Sequence, residues 1–366
     1  MSLGRLFVGL CMLGLLASAC TGAAAPSGST PPPTSATSGR ARSAPGPSDA
    51  GGAPVSLKIA ISAPVTSYWP VIVAQQAGLF KQEGLDVEIV ITGGGGPTIA
   101  AVAGGSAQFA APVYSDAIIA TSKGQTVTSI APLMAQYTTD AVVSTSKAQA
   151  LGISATLPIE ERVKRGSGLR IAVTGPGSGA DKVVRFVLKR YGLDPEKDVS
   201  IVGIGTEGQL PALRAGQIDS YANTSPATDQ AVAAGAAQWW FRPSQGEIPD
   251  LNGFTYITLA ALPQYIKDHP TVVEGVLRAT RGATQILQNE PDRAVELLQD
   301  QVKGVPPDQL RQILKDAAPS FPSSLVLTQK GWDQNIAFLA DSGERVNVKF
   351  EDANNTEIAQ RVMSQS

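Results

Sequence analysis

From residue 55 onward, short apolar runs alternate with helix-length segments. LKIAI, residues 57–61, is apolar but for Lys58 and reads as a buried parallel strand. After the loop SAPVTSYW, Pro70 opens a helix that runs to Ala77 and stops at Gly78. LFKQEGLDVEIVIT supplies a turn and a second strand, with Val87, Ile89 and Ile91 on one face. Gly93–Gly96 follow, and Pro97 opens a helix to Ala103 that ends at Gly104 and Gly105. AQFAAP gives a third strand, and Ser115 and Asp116 are placed to cap a helix to Lys123. TVTSIAPLM gives a fourth strand. Strand, loop and helix recur at intervals of roughly 20–30 residues, the grammar of a doubly wound α/β sheet.

Residues 141–168 are less regular. AVVST predicts a strand, and LPIEERVKRG a short helix with Thr156 as its N-cap. The alternation then restarts: strand LRIAV, turn TGPGSGA, helix DKVVRFVLKRYG, strand VSIVGI, a helix from Glu207 to Ala215, strand IDSYAN and a helix from Pro226 to Ala234. WWF and TYITLA are expected to be strands returning to the first half. Beyond Pro263 the pattern is helical, with segments near 291–302, 307–317, 328–341 and 356–364. Within 271–289, Val272, Val273, Val276, Leu277, Ala283, Ile286 and Leu287 form one apolar stripe. The periods are too irregular for a solenoid.

The first 54 residues follow different rules. One charged side chain, Arg5, precedes an apolar run too short for a spanning helix, which needs roughly 20 residues. Ala17, Ser18 and Ala19 then lead to Cys20, the pattern of a lipobox with Ala17 where Leu is commonest. The expectation is a signal peptide over 1–19, cleavage before Cys20 and a lipid on Cys20. Between 21 and 54, all but Arg40, Arg42 and Asp49 are Thr, Gly, Ala, Pro or Ser. Such a stretch cannot bury enough apolar surface to offset its chain entropy, and as a flexible tether it would span on the order of 30 Å.

Composition then narrows the chemistry. Residues 55–366 exceed one comfortable core, so two lobes are expected, 55–140 with 243–366 and 141–242. A formal net charge of −2 without a basic stripe argues against a nucleic-acid partner. The cysteines are Cys11 and Cys20, so residues 55–366 offer no disulfide, thiol nucleophile or thiolate metal site. The single histidine, His269, fits a surface position before a helix. Multi-histidine zinc chemistry is excluded, and a Ser–His–acid triad would rest on that one residue. No metal and no cofactor are expected.

Gly175 to Ala180 resembles a loose GxGxxA dinucleotide fingerprint between a strand and a helix. Pro176 stiffens the turn, and VSIVGI ends without the acidic residue a ribose needs. Backbone N–H groups at that helix start, beside Thr174 and Ser178, suit an anionic or strongly polar ligand instead. Gly94, Gly95, Gly96 and Thr98 offer the same geometry in the other half, as do Tyr114, Ser115 and Asp116. Ser67, Tyr68 and Trp69 follow the first strand as candidate walls, with Tyr114 as a further aromatic. Glu207 and Asn223 lie just after strands, where polar contacts form. The candidate set is completed by Gly177 and has no catalytic member. No Lys or Arg falls within these loops.

The run YWPVIVAQQAGLFKQEGLDVEIV, then GGGGPTIAAVAGGSAQFA, then the turn around Gly177 resemble the periplasmic solute-binding proteins of ABC importers. The resemblance covers roughly residues 57–340. It is to the nitrate, sulfonate and taurine-binding group, which also holds binders of thiamine-pyrimidine precursors. It implies a type II periplasmic-binding-protein fold, with two α/β lobes, two crossovers and a cleft that closes on ligand. It also implies ABC permease and ATPase partners, and a monomer. The loops it assigns to ligand are Ser67–Trp69, Gly93–Thr98, Tyr114–Asp116, Thr174–Ser178 and the surroundings of Asn223. A fungal pyrimidine synthase in the group uses a histidine and a cysteine-rich motif; this chain has neither in those loops. The alternatives left open are a tethered sensor of the same fold, a binder of a pyrimidine precursor, and an enzyme using Asp116 or Glu207.

Overall fold

A computed structural model describes residues 53–365. The signal segment, Cys20 and the tether up to residue 52 lie outside the described residues.

The described chain runs β1 (Val55–Ile61), α1 (Trp69–Gln76), α2 (Leu79–Gln82), β2 (Leu85–Ile91), α3 (Gly95–Ala103), β3 (Phe109–Ala110), α4 (Tyr114–Ser122), β4 (Thr128–Met134) and β5 (Thr139–Ser144). It continues with α5 (Thr145–Leu151), α6 (Ile159–Lys164), β6 (Arg170–Val173), α7 (Gly179–Arg190), β7 (Ser200–Gly203), α8 (Thr206–Arg214), β8 (Ser220–Thr224), α9 (Ala227–Ala233), β9 (Ala237–Phe241) and β10 (Ile257–Ala261). Seven helices close the described chain: α10 (Pro263–Asp268), α11 (Pro270–Asn289), α12 (Pro291–Leu298), α13 (Pro307–Ala317), α14 (Gln329–Asp341), α15 (Phe350–Ala353) and α16 (Glu357–Ser364).

The strands form two five-stranded sheets, ordered β2-β1-β3-β10-β4 and β7-β6-β8-β5-β9. In each, three strands are parallel and the fourth position is antiparallel. The antiparallel strand is the one the chain delivers by crossing over: β10 reaches the first sheet after the second is built, and β5 enters the second sheet before β6. This is the two-lobed α/β architecture the pattern and the resemblance imply. Apolar faces explain the layers. Ile59 and Ile61 of β1 are fully buried, and α11 lays Val273, Val276, Leu277 and Ala283 beneath them against α1. Val272 of the expected stripe is only half-buried.

Four local expectations need correction. The WWF strand belongs to β9, which pairs with β5 in the second sheet, so only TYITLA returns to the first. Thr156 does not cap α6; Pro158 holds the N-cap, and Thr156 Oγ1 pairs with Ser154 Oγ at 2.9 Å. Ser115 and Asp116 sit inside the first turn of α4 behind an N-cap at Val113 that makes no side-chain bond. The short helices α2, α5, α10 and α15 carry too few turns to show a period.

Candidate functional site

The carboxyl ends of the parallel strands in both sheets face a common cleft of about 410 Å³. Open α/β sheets bind ligands at such strand ends because the following helices start there. From the first sheet come the β1–α1 loop, including Ser62, Ser67 and Tyr68, and the Gly93–Pro97 loop. From the second come the Thr174–Ala180 loop, Thr206, Asn223 and Thr224. Thr139 and Tyr256, one from each chain crossing, close the back. Two tight turns shape the walls: Gly93 and Gly177 take φ of 79° and 71°, the left-handed region that favours glycine.

The helix starts differ in what they leave open. At α3 the N-cap is Gly94, and no side chain caps the helix. At α8 the N-cap is Gly205, again without a side-chain cap. At α7, Ser178 Oγ accepts from Asp181 N at 3.2 Å, and the Asp181 carboxylate accepts from Gly177 N at 2.8 Å. The α7 turn therefore spends part of its N–H capacity on its own residues.

The cleft also holds a buried charge, Asp116. Its carboxylate pairs with Lys182 of α7, joining a helix of one sheet to a helix of the other. Burial pushes the Asp116 carboxyl up, while the Lys182 charge and hydrogen bond pull it back. Nearby, Ser62 Oγ donates to Tyr68 Oη at 2.6 Å. Burial raises the Tyr68 phenol to about 12, partly offset by that bond and reinforced by Asp116. Tyr256 Oη lies 2.9 Å from Thr139 Oγ1, and its ring stacks on Tyr137 at 4.1 Å. Burial likewise raises Tyr256. Besides Asp116, the cleft is walled by neutral phenols, hydroxyls, an amide, small apolar side chains and backbone.

Of the residues singled out in the sequence, Ser67, Tyr68, Gly94, Gly95, Gly96, Asp116, Thr174, Gly177, Ser178 and Asn223 line this cleft. Several of their polar atoms are already engaged. Ser67 Oγ meets Thr138 Oγ1 at 2.9 Å, and Asn223 Nδ2 donates to Gln209 Oε1 at 2.7 Å.

The other five do not line it. Trp69 opens α1 and is fully buried in the core, its indole N–H without a partner. Tyr114 donates to Asn354 Oδ1 at 2.8 Å and packs edge-on to Trp332. Ser115 is fully buried, and Thr98 is turned inward, donating to Gly94 O at 2.7 Å. Glu207 is exposed on α8.

Sequence reasoning missed Lys182, Thr139, Thr224 and Tyr256. Lys182 sits one turn into α7, beyond the loop. The other three lie in or beside the crossing strands, where no local pattern marks a cleft.

A model of the NMT1-like family matches residues 51–299. The putative binding protein YtlA of Bacillus subtilis is 23% identical over 311 residues, covering 81% of this chain and 87% of YtlA. The nitrate import ATP-binding protein NrtC of Synechococcus elongatus is 39% identical over 69 residues, 19% of this chain and 10% of that protein's length. Among solved structures, the alkanesulfonate-binding protein SsuA from Xanthomonas axonopodis pv. citri, bound to MOPS, superposes with a TM-score of 0.67. It shares 20% identity, over 83% of this chain and 99% of SsuA. At that identity the likeness is one of fold.

Proposed function

The chain belongs to the NMT1-like family, and on that premise we propose that it is the extracytoplasmic solute-binding component of an ABC importer. It captures a small polar or anionic solute between its two lobes and delivers it to a membrane permease driven by an ATPase. No bond is made or broken. The lobes are 55–140 with 243–366, and 141–242. A lipid on Cys20 holds the protein, as a monomer, at the outer face of a bacterial membrane.

The observation that carries this reading is the cleft itself. Strand ends from two separate sheets converge on one 410 Å³ space lined by hydroxyls and helix starts. A ligand that touches both walls stabilises the arrangement in which they meet, so closure follows as a population shift. The sulfonate and nitrate named for its relatives set the size class of the first candidates.

A thermal-shift screen of sulfonates, small carboxylates, pyrimidines and aromatic acids tests it. A true ligand at a hundred times its Kd should add about 2.7 kcal/mol of stability by mass action. A screen in which no solute raises the melting temperature, with nothing co-purifying by native mass spectrometry, sinks the receptor reading. For the anchor, Cys20→Ala should move the protein from the membrane fraction to the soluble fraction.

A further inference from the structure

Asp116 is the one charged residue among the described residues that line the cleft. Its side chain and that of Lys182 are only 14% and 12% exposed. The carboxylate is flanked on two sides. Lys182 reaches it from α7, and the start of α3 lies against its other oxygen: a Cβ built on Gly95 would sit 2.7 Å from Asp116 Oδ2. A negative oxygen set between an ammonium and an uncapped helix start is in the place a bound anion favours. Here the protein fills that place with its own side chain.

The consequence is a charge balance inside the cleft. An incoming anion finds the ammonium already neutralised and meets a carboxylate in poorly solvated surroundings. An incoming cation finds the carboxylate already paired. The other polar groups lining the cleft are neutral: the Thr174 hydroxyl; the Thr206 hydroxyl and the Tyr68 and Tyr256 phenols, which already share hydrogen bonds with Asn223, Ser62 and Thr139; and backbone groups.

We propose that Asp116, paired with Lys182, occupies the anion position of the cleft, and that the solute taken is an uncharged polar molecule. Asp116 and Lys182 are then the residues that determine charge specificity. This narrows the receptor reading above and rests on it.

The test is isothermal titration of the purified full-length protein with ethanesulfonate and with ethylammonium in a low-chloride buffer. Wild type should bind neither saturably. Asp116→Asn should bind ethanesulfonate at least tenfold more tightly than wild type, and adding Lys182→Gln should abolish that gain. Lys182→Gln alone should gain ethylammonium instead, an arm that decides the matter if Asp116→Asn does not fold. The proposal is overturned if wild type binds ethanesulfonate as tightly as Asp116→Asn, or if folded variants show no change in charge preference. An anion co-purifying with wild type would also overturn it while leaving the receptor reading intact. That reading fails separately, by wild type binding no solute of any charge.

Discussion

Asp140 shows what a single buried charge does to this protein. It is the second residue of β5 and 2% exposed. Its carboxylate accepts from Ser244 N at 3.0 Å and from Ser244 Oγ at 2.6 Å, with Arg242 Nε at 3.5 Å. Burial raises its carboxyl from 3.8 to about 7, against the lowering pull of Arg242 and Ser244 and with a further rise from Asp229. The folded state therefore holds a proton that the unfolded chain has lost. Between those two values stability falls as pH rises, and the cost is complete above the upper one. Asp140→Asn should flatten that slope, so the melting temperatures of variant and wild type should diverge between pH 4.5 and pH 8 in the variant's favour. An unchanged slope would mean the carboxyl titrates at its ordinary value. A second residue is limited by space. A Cβ on Gly179 would lie 2.5 Å from Tyr256 Oη, whose ring is clamped against Tyr137. Gly179→Ala should cost roughly 1–3 kcal/mol by overpacking and weaken solute binding, read by denaturant melts and titration. Little of this was legible in the sequence. Glycine turns and hydroxyls after strands announced one half of the cleft, because helix starts have a local signature. Trp69 and Tyr114 were misplaced because an aromatic residue at a strand end looks the same whether it faces ligand or core. Lys182 was hidden because its partner is 66 residues away.

Elements were more readable, for a physical reason. The parallel strands β1 and β6 end in short buried apolar runs, Ile59–Ile61 and Ile171–Val173, and α11 repeats its apolar residues with the helical period. Pairing is not local, so nothing in WWF revealed that β9 would lie beside β5. The importance of α11 is testable. Its Leu277 is fully buried in the main core, on the helix that packs against α1. Leu277→Ala should destabilise the protein by about 2–5 kcal/mol through lost burial and a residual cavity. Because α11 supplies no residue to the cleft, the solute affinity of the folded variant should stay near the wild-type value. A selective loss of affinity without loss of stability would show that α11 acts on the site.

For the whole molecule, the two chain crossings are where a hinge would lie. They are tied to each other by the Tyr137–Tyr256 stack and by Arg242 against Asp140. The sheets meet across the cleft through Asp116–Lys182, through Tyr137 Oη donating to Gly179 O at 2.7 Å, and through Thr66 N donating to Ser225 O at 2.9 Å. Phe186 of α7 also packs on Phe338 of α14, ring centroids 5.1 Å apart, so hinge motion about the crossings has to trade this apolar contact as well as the polar ones. A solute bound to both walls should therefore bring the lobes together. The sequence offers a clean way to measure this, since its cysteines are Cys11 and Cys20, both outside residues 55–366. Ile91 and Val202 are 59% and 37% exposed, on the outer strands β2 and β7 of the two sheets. In a Cys11→Ser, Cys20→Ser background, Ile91→Cys with Val202→Cys accepts a donor and an acceptor dye without disturbing the core. Energy transfer between them should rise on saturation with the solute found in the screen. Tyr137→Phe, which removes the contact to Gly179, should lower the transfer reached at saturation and weaken affinity by the same coupling. A solute that binds tightly while leaving the transfer unchanged would show that capture does not require closure, and the hinge account would have to be abandoned.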